Sequence, residues 1–289
     1  MHVGLAERLD FDVVVVGALD PESKEALRVC EGIVPTALAT FNGELVDFGT
    51  AYRATGLINT RQVRNCLPPL GNVALFEAGV PVLEEQVVRR FDHHQPKDAG
   101  FDKLPQDYMQ GSSLGQLAAH LGVELNEEQR TIAALDHCAS AALADEIPDI
   151  DAEYALTVFQ NGIRDTHRSL SPQAVVSAYW DAMRVVHDER RYPRLRINGQ
   201  DVIDLRRKHL GLSTSLARLS TIAALATSGQ AALTMCRNPH SKTDQVMLNG
   251  HLLPSTVDEF TQEWGPKNGL INLFGVPWRQ YAGGMVAAA

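Results

Sequence analysis

The sequence predicts an α/β fold, a parallel-sheet domain followed by a smaller C-terminal α/β domain, and three observations carry that prediction. The VVVVG run at 13–17 is apolar at every position, which marks a strand buried on both faces, as in a parallel sheet. Helical spacing follows at once in SKEALRVC, so strand and helix alternate from the start. Two further strand candidates, over 72–77 and 86–91, each run into an acid: Glu77 and Asp92.

In chain order, residues 20–23 form the loop at the carboxyl end of the first strand, the place where open α/β sheets bind ligands. VPTALATF reads as a second strand, and the Asn42-Gly43 pair after it as a hairpin turn. From Ser112 the pattern turns helical, with Leu114, Leu117, Ala118 and Leu121 on one face and Gly122 as the stop. A helix over 126–144 begins with Asn126 as cap and glutamates in its first turn. Mainly helical segments continue to about 186, and the charged stretch HDERRYPRLRINGQ, with Pro193 and Asn198-Gly199, marks the domain boundary. The expected domains are 1–188 and 194–289. The second contains a helix over 214–226, strands over 232–236 and 245–248, and a helix over 256–264.

The formal net charge of −9 provides no global basic field for a long polyanion, which argues against duplex DNA as the main partner. The four cysteines, at 30, 66, 138 and 236, form no CxxC pair, so neither a zinc knuckle nor a disulfide framework is expected, and a reducing cytoplasm is. No window approaches the roughly 18 uninterrupted apolar residues of a membrane span, and the acidic N-terminal stretch has no apolar signal core. A soluble, unprocessed chain with no membrane partner is the expectation.

The chemistry concentrates at RRFDHHQPKD. Imidazole nitrogens ligate manganese, zinc or iron, and a carboxylate behind them fixes the ring orientation. Asp92, His93 and His94 end one strand candidate, Glu77 ends its neighbour, and Asp136 in AALDHC interrupts an apolar helical face. Ser112 and Ser113 open a helix, where exposed N–H groups favour either a phosphate or an ordinary cap. Arg61 and Lys97 are candidate phosphate contacts or solvent-facing cations. In the second domain Arg237, His240 and Lys242 share the loop CRNPHSKTD, suited to clamping a phosphorylated substrate or to plain solvation.

FDHHQ at 91–95, with GSSLGQLAAHLG at 111–122, resembles the DHH phosphoesterase superfamily, in the form DHHQ similar to its branch with oligonucleotide exonuclease activity. The resemblance implies an α/β metal domain, a smaller C-terminal substrate domain, and hydrolysis of phosphoester or phosphoanhydride bonds. It implies one or two divalent ions, typically Mn²⁺. The implied partner is a small phosphorylated substrate or a short single-stranded oligonucleotide, with a homodimer left open. Glu77 falls where the family places a metal-bridging aspartate, His93 on the metal histidine, His94 on the residue contacting phosphate, and Asp92 behind both. Asp136 matches the later metal aspartate, with Asp165 in NGIRDT as its rival. GALDPESKE occupies the first motif: Glu22 replaces one acid, while Ala18 and Lys24 stand for a histidine and an aspartate. A rival alignment sets TFNGELVDF there, with Phe41, Val46 and Phe48 in place of ligands. WRQYAGGM is similar to the family's glycine-rich substrate loop, with Met285 in place of its histidine.

Overall fold

The computed structural model describes residues 9–47, 49–59, 71–166, 169–188, 191–206, 215–237 and 244–286. The chain is α/β and divides into two compact units, residues 1–103 with 107–133 and residues 104–106 with 134–289.

In the first unit, β1 (Val13–Val16) is buried at every position, as its run of valines requires. It pairs in parallel with β2 (Thr36–Phe41) on one side and β5 (Val73–Phe76) on the other. β6 (Val87–Phe91) extends the sheet in parallel beyond β5. β3 (Glu44–Leu45) and β4 (Gly56–Asn59) both run antiparallel to β2, giving the order β3-β2-β1-β5-β6 among the described residues. Asn42 and Gly43 have φ of 53° and 86°, the left-handed pair that a tight β2–β3 turn needs. Val15, Ala37, Ala39, Val73 and Leu75 lie in one apolar cluster with Val80 and Leu83.

Helix α1 (Pro21–Cys30) starts where Asp20 Oδ1 accepts from Ser23 N at 2.7 Å, with proline at the first helical position, where no N–H is needed. A short helix, α2 (Tyr108–Gly111), precedes α3 (Ser113–Leu121). Ser112 caps α3 by accepting from Gly115 N at 3.0 Å, and Gly122, at φ 66°, ends it. The sheet's parallel strands all point one way, so Gly17, Glu77 and Asp92 follow β1, β5 and β6 at a common edge.

Helix α4 (Glu127–Leu143) contains the point of division, between Ala133 and Ala134, and is broken at Cys138 by a non-helical φ/ψ of −152°/83°. In the second unit α5 (Ala152–Thr166) and α6 (Pro172–Val186) lead to the hairpin β7 (Arg194–Ile197) and β8 (Gln200–Asp204). The charged stretch at 187–200 therefore lies inside this unit, and Asn198-Gly199 is the hairpin's turn, at φ 46° and 78°. Then come α7 (Ser215–Thr227), β9 (Ala231–Arg237), β10 (Asp244–Gly250), α8 (Pro254–Glu259), β11 (Leu270–Val276) and β12 (Tyr281–Val286). The second sheet has the order β11-β12-β10-β9-β8-β7 among the described residues. Ile197, Val202, Leu233, Val246, Leu248, Val257 and Phe260 form its core. Among the described residues, no helix is long and apolar enough to cross a membrane.

Candidate metal centre

The strand ends build the site. Directly after β5, Glu77 takes a φ of +47°, a left-handed conformation uncommon for a residue with a long side chain. Its backbone is held on both sides. Glu77 N donates to Phe91 O at 3.1 Å, and Gly17 approaches so closely that a Cβ there would lie 2.2 Å from Glu77 O. The carboxylate is almost fully buried, and Oε1 accepts from Ser113 Oγ at 2.8 Å.

His93, fully buried after β6, has Nδ1 3.2 Å from Gly111 O. A carbonyl only accepts, so Nδ1 carries the hydrogen, and in the neutral ring the lone pair sits on Nε2. Nε2 is 3.5 Å from Glu77 Oε1, longer than an N–H···O hydrogen bond. Two ligands about 2.1 Å from one tetrahedral ion stand about 3.4 Å apart, so the spacing suits a shared cation. Ligand atoms of Glu77, His93 and His94 all lie within 4.8 Å of one another. Carboxylate oxygen plus imidazole nitrogen is a donor set for manganese, zinc or iron. The residues present fit a divalent ion.

His94 is turned differently. Its Nδ1 lies 3.7 Å from Glu77 Oε1 but 2.9 Å from Asp92 Oδ1, so the ring hydrogen belongs on Nδ1 and goes to Asp92. Asp92 Oδ1 also accepts from His93 N at 2.7 Å and His94 N at 3.1 Å. The hydroxyl of Tyr52 approaches Asp92 Oδ2 at 2.8 Å and Oδ1 at 3.0 Å. Four donors thus converge on one carboxylate. Burial pushes the Asp92 carboxyl up, but the bonds from His94 and Tyr52 and the charge of His94 outweigh it and hold the acid below its usual range. Burial, then the negative charge of Asp92, pushes the Tyr52 phenol far above its ordinary value, so it remains a hydrogen donor. Nearby Asp98 is pushed up by burial and by Asp92.

Gln116, on α3, closes the back of the site: its Nε2 donates to Asp92 O and to Gly111 O, each at 3.2 Å. Glu22, in α1, is buried, and its Oε1 accepts from Leu114 N at 2.9 Å, at the positive end of α3. Ser112 and Ser113 are both fully buried; the first hydroxyl caps α3 and the second holds Glu77.

The remaining candidates are placed as follows. Asp136 and Asp165 belong to the second unit, on α4 and α5; Asp136 is half-buried and its carbonyl accepts from Arg279 Nη2 at 3.0 Å, while Asp165 is exposed. Cys138 is buried, and burial pushes its thiol up to about 11, which keeps it protonated at neutral pH. Lys97 is exposed. Arg61, His240 and Lys242 lie outside the described residues, as does the side chain of Arg237, whose backbone pairs with Asp244. Gly283 and Gly284 are in strand β12, where a Cβ on Gly283 would meet the Phe274 ring at 2.4 Å and Met247 Sδ at 2.6 Å. Their lack of side chains serves packing at those positions.

Sequence reasoning missed Tyr52, Gln116 and Gly17. Gln116 had a signal, its place in the first turn of the helix that follows the Asp-His-His stretch. Tyr52 sits in a single 3-10 turn, Ala51–Arg53, with no periodicity to announce it.

No family model matches the chain, and none of the curated proteins matches it in sequence. Among solved structures it is similar to the pGpG-specific phosphodiesterase PggH from Vibrio cholerae. That likeness spans 95% of this chain and 93% of the other, at 12% identity and a TM-score of 0.36. The site's chemistry rests on its own side chains.

Proposed function

We propose that the protein is a divalent-metal-dependent phosphohydrolase of the DHH type, acting on a small phosphodiester or a short oligonucleotide. The observation that carries this reading is the convergence of Glu77 and His93 at 3.5 Å, beside a His94 whose Nδ1 is tied to Asp92. Glu77 and His93 would hold the ion. A divalent ion bound there would supply acidification of water and neutralisation of phosphoryl charge. His94, with its Nδ1 hydrogen directed to Asp92, presents Nε2 to a phosphoryl oxygen and donates a hydrogen bond to it when protonated. Asp92, engaged by four donors, orients both histidines and moves no proton itself. Ser113 fixes the Glu77 carboxylate, and Gln116 fixes the main chain at Asp92 and Gly111.

The test is a panel of dinucleotides, short oligonucleotides and pyrophosphates incubated with the protein loaded with Mn²⁺. Cleavage that a chelator abolishes and manganese restores is expected. His93→Ala should lose metal binding, and His94→Ala should keep it while turnover falls roughly 100-fold or more. Loaded protein that cleaves nothing across the panel refutes the reading.

One observation favours a second reading, a nucleotide-binding or regulatory protein that keeps the fold without catalysis. The first motif has Ala18 and Lys24 where the family resemblance calls for a histidine and an aspartate, and Glu22 Oε1 is engaged by Leu114 N. Nucleotide affinity indifferent to added metal, with no turnover, would favour it.

A further inference from the structure

We infer that Tyr52 is a positioning residue for His94, holding its ring in register with the Asp92 carboxylate; its catalytic consequence rests on the hydrolase reading above.

The geometry is a closed triangle. The Tyr52 oxygen lies 2.8 Å from Asp92 Oδ2 and 3.2 Å from His94 Nδ1, while His94 Nδ1 lies 2.9 Å from Asp92 Oδ1. Ionised Asp92 has no hydrogen to give, so the phenol hydrogen goes to the carboxylate and the phenol oxygen is left as an acceptor. His94 Nδ1 therefore faces two acceptors, the carboxylate and the phenol oxygen. With hydrogen on Nε2 instead, three lone-pair-bearing atoms would crowd together with one donor, the phenol, among them. The Asp92 carboxylate alone requires the Nδ1–H tautomer, and Tyr52 adds a second acceptor at Nδ1 while donating to that carboxylate, which ties the two side chains together. The two rings also meet edge to face, with centroids 6.2 Å apart at 63°, so the tyrosine limits rotation of the imidazole. His94 is half exposed, and packing alone does not fix its ring.

Tyr52 is itself held from outside the triangle. The turn that carries it exchanges backbone hydrogen bonds with Gly79, from Gly79 N to Ala51 O at 2.9 Å and from Ala54 N to Gly79 O at 3.0 Å. A Cβ on Gly79 would lie 2.8 Å from Tyr52 O and 3.0 Å from its Cα. Gly79 is a second lever on Tyr52 that touches neither histidine.

The experiment uses the whole chain, metal-free, with ¹⁵N-labelled histidine, and reads the His94 ring nitrogens by long-range ¹H–¹⁵N correlation. Wild type should show a single neutral tautomer, protonated at Nδ1. Tyr52→Phe should keep that tautomer, through Asp92, but shift the ring nitrogen signals and speed exchange of the ring hydrogen, and Gly79→Ala should shift the ring signals in the same direction. A wild-type His94 protonated at Nε2, or a Tyr52→Phe spectrum identical to wild type, overturns the inference. With manganese and a cleavable dinucleotide, Tyr52→Phe should lower kcat roughly 10- to 100-fold, with KM changed less than about threefold, as expected when one hydrogen bond to a charged group is lost from the reacting geometry. The failure of each reading is separable: shifted ring signals and faster ring-hydrogen exchange in Tyr52→Phe of a protein that turns over nothing support the role of Tyr52 and defeat the hydrolase, whereas an active enzyme with an unmoved His94 defeats the role of Tyr52 alone.

Discussion

Replacing Gly17 by alanine tests whether the sheet edge builds the site. Gly17 does not have a positive φ, so its backbone conformation accepts a side chain, and in an unobstructed strand Gly→Ala would stabilise by about 0.4–1 kcal/mol. Here the added Cβ would lie 2.2 Å from Glu77 O and 3.0 Å from Glu77 C. Reaching an ordinary contact of 3.4 Å requires a separation of 3.4 − 2.2 = 1.2 Å between two backbones of one sheet. The ladder bond from Gly17 N to Phe76 O, now 3.0 Å, sits beside that contact and cannot absorb such a shift. Overpacking of about 1–3 kcal/mol and a lost hydrogen bond of about 0.5–1.5 kcal/mol, less the gain of about 0.4–1 kcal/mol, give a net destabilisation of about 0.5–4 kcal/mol. Denaturant unfolding reads the loss directly. Titration calorimetry should show manganese affinity reduced roughly 10-fold or more, because Glu77 moves with its backbone. A variant as stable as wild type, or more so, refutes the close approach and the account of how Glu77 is held.

Ser113→Ala removes the 2.8 Å hydroxyl bond to a buried carboxylate and should cost about 1–3 kcal/mol of stability and weaken manganese binding roughly 10-fold; unchanged affinity would show that Ser113 does not orient Glu77. Burial pushes the Cys30 thiol up to about 12, so the native protein should resist iodoacetamide at pH 8 and label at Cys30 only on unfolding. Because the folded state favours the neutral thiol, its contribution to stability is complete below the unfolded pKa near 9 and is lost as pH rises toward 12. Prompt labelling of Cys30 in the native protein would contradict this.

The parts of the fold legible in the sequence are those where one physical requirement dominates. A four-valine strand buried on both faces, a proline after a capping aspartate and a glycine at φ 66° after α3 each leave a local mark. β4, β7, β11 and β12 leave weaker ones. β11 is interrupted by an irregularity between Ile271 and Phe274, with Asn272 at φ 50°, which destroys its alternation. β12 contains two glycines because the Phe274 ring and Met247 occupy the space of a side chain, and glycine in a sequence reads as a loop. Proline and Asn-Gly punctuation at 193–199 reads as a domain boundary in the sequence, and the same residues lead into and turn the β7–β8 hairpin. The division between compact units falls within α4, where the helical pattern is continuous and nothing in the residues announces it. The site divides in the same way. Glu77, Asp92, His93 and His94 are visible because polar residues ending apolar strands are unusual. Tyr52 and Gly17 act by reaching a distant segment, and contacts across 40 and 60 positions leave no local pattern.

The Asp-His-His stretch is easily taken for three ligands, yet hydrogen-bond capacity assigns its members different work. Asp92 Oδ1 accepts from His93 N, His94 N and His94 Nδ1, and Oδ2 accepts from Tyr52, so three of its four donors belong to the two histidines that follow it. It has the charge of a ligand and the geometry of a clamp. Glu77 supplies the carboxylate oxygen that faces His93 Nε2, at 3.5 Å, while Asp92 faces His94 Nδ1, at 2.9 Å. A pair of divalent ions brings four positive charges and requires bridging carboxylates, and within the first unit Glu22 and Glu77, with carboxylate oxygens within 4.8 Å of one another, are the acids that stand with the rings of His93 and His94. Glu22, in α1, has Oε1 bound at the N-terminus of α3, where it satisfies a helix amide. In the hydrolase reading, the fewer ions the site holds, the more heavily neutralising the phosphoryl group falls on His94, and the more the restraint of its ring by Asp92 and Tyr52 matters.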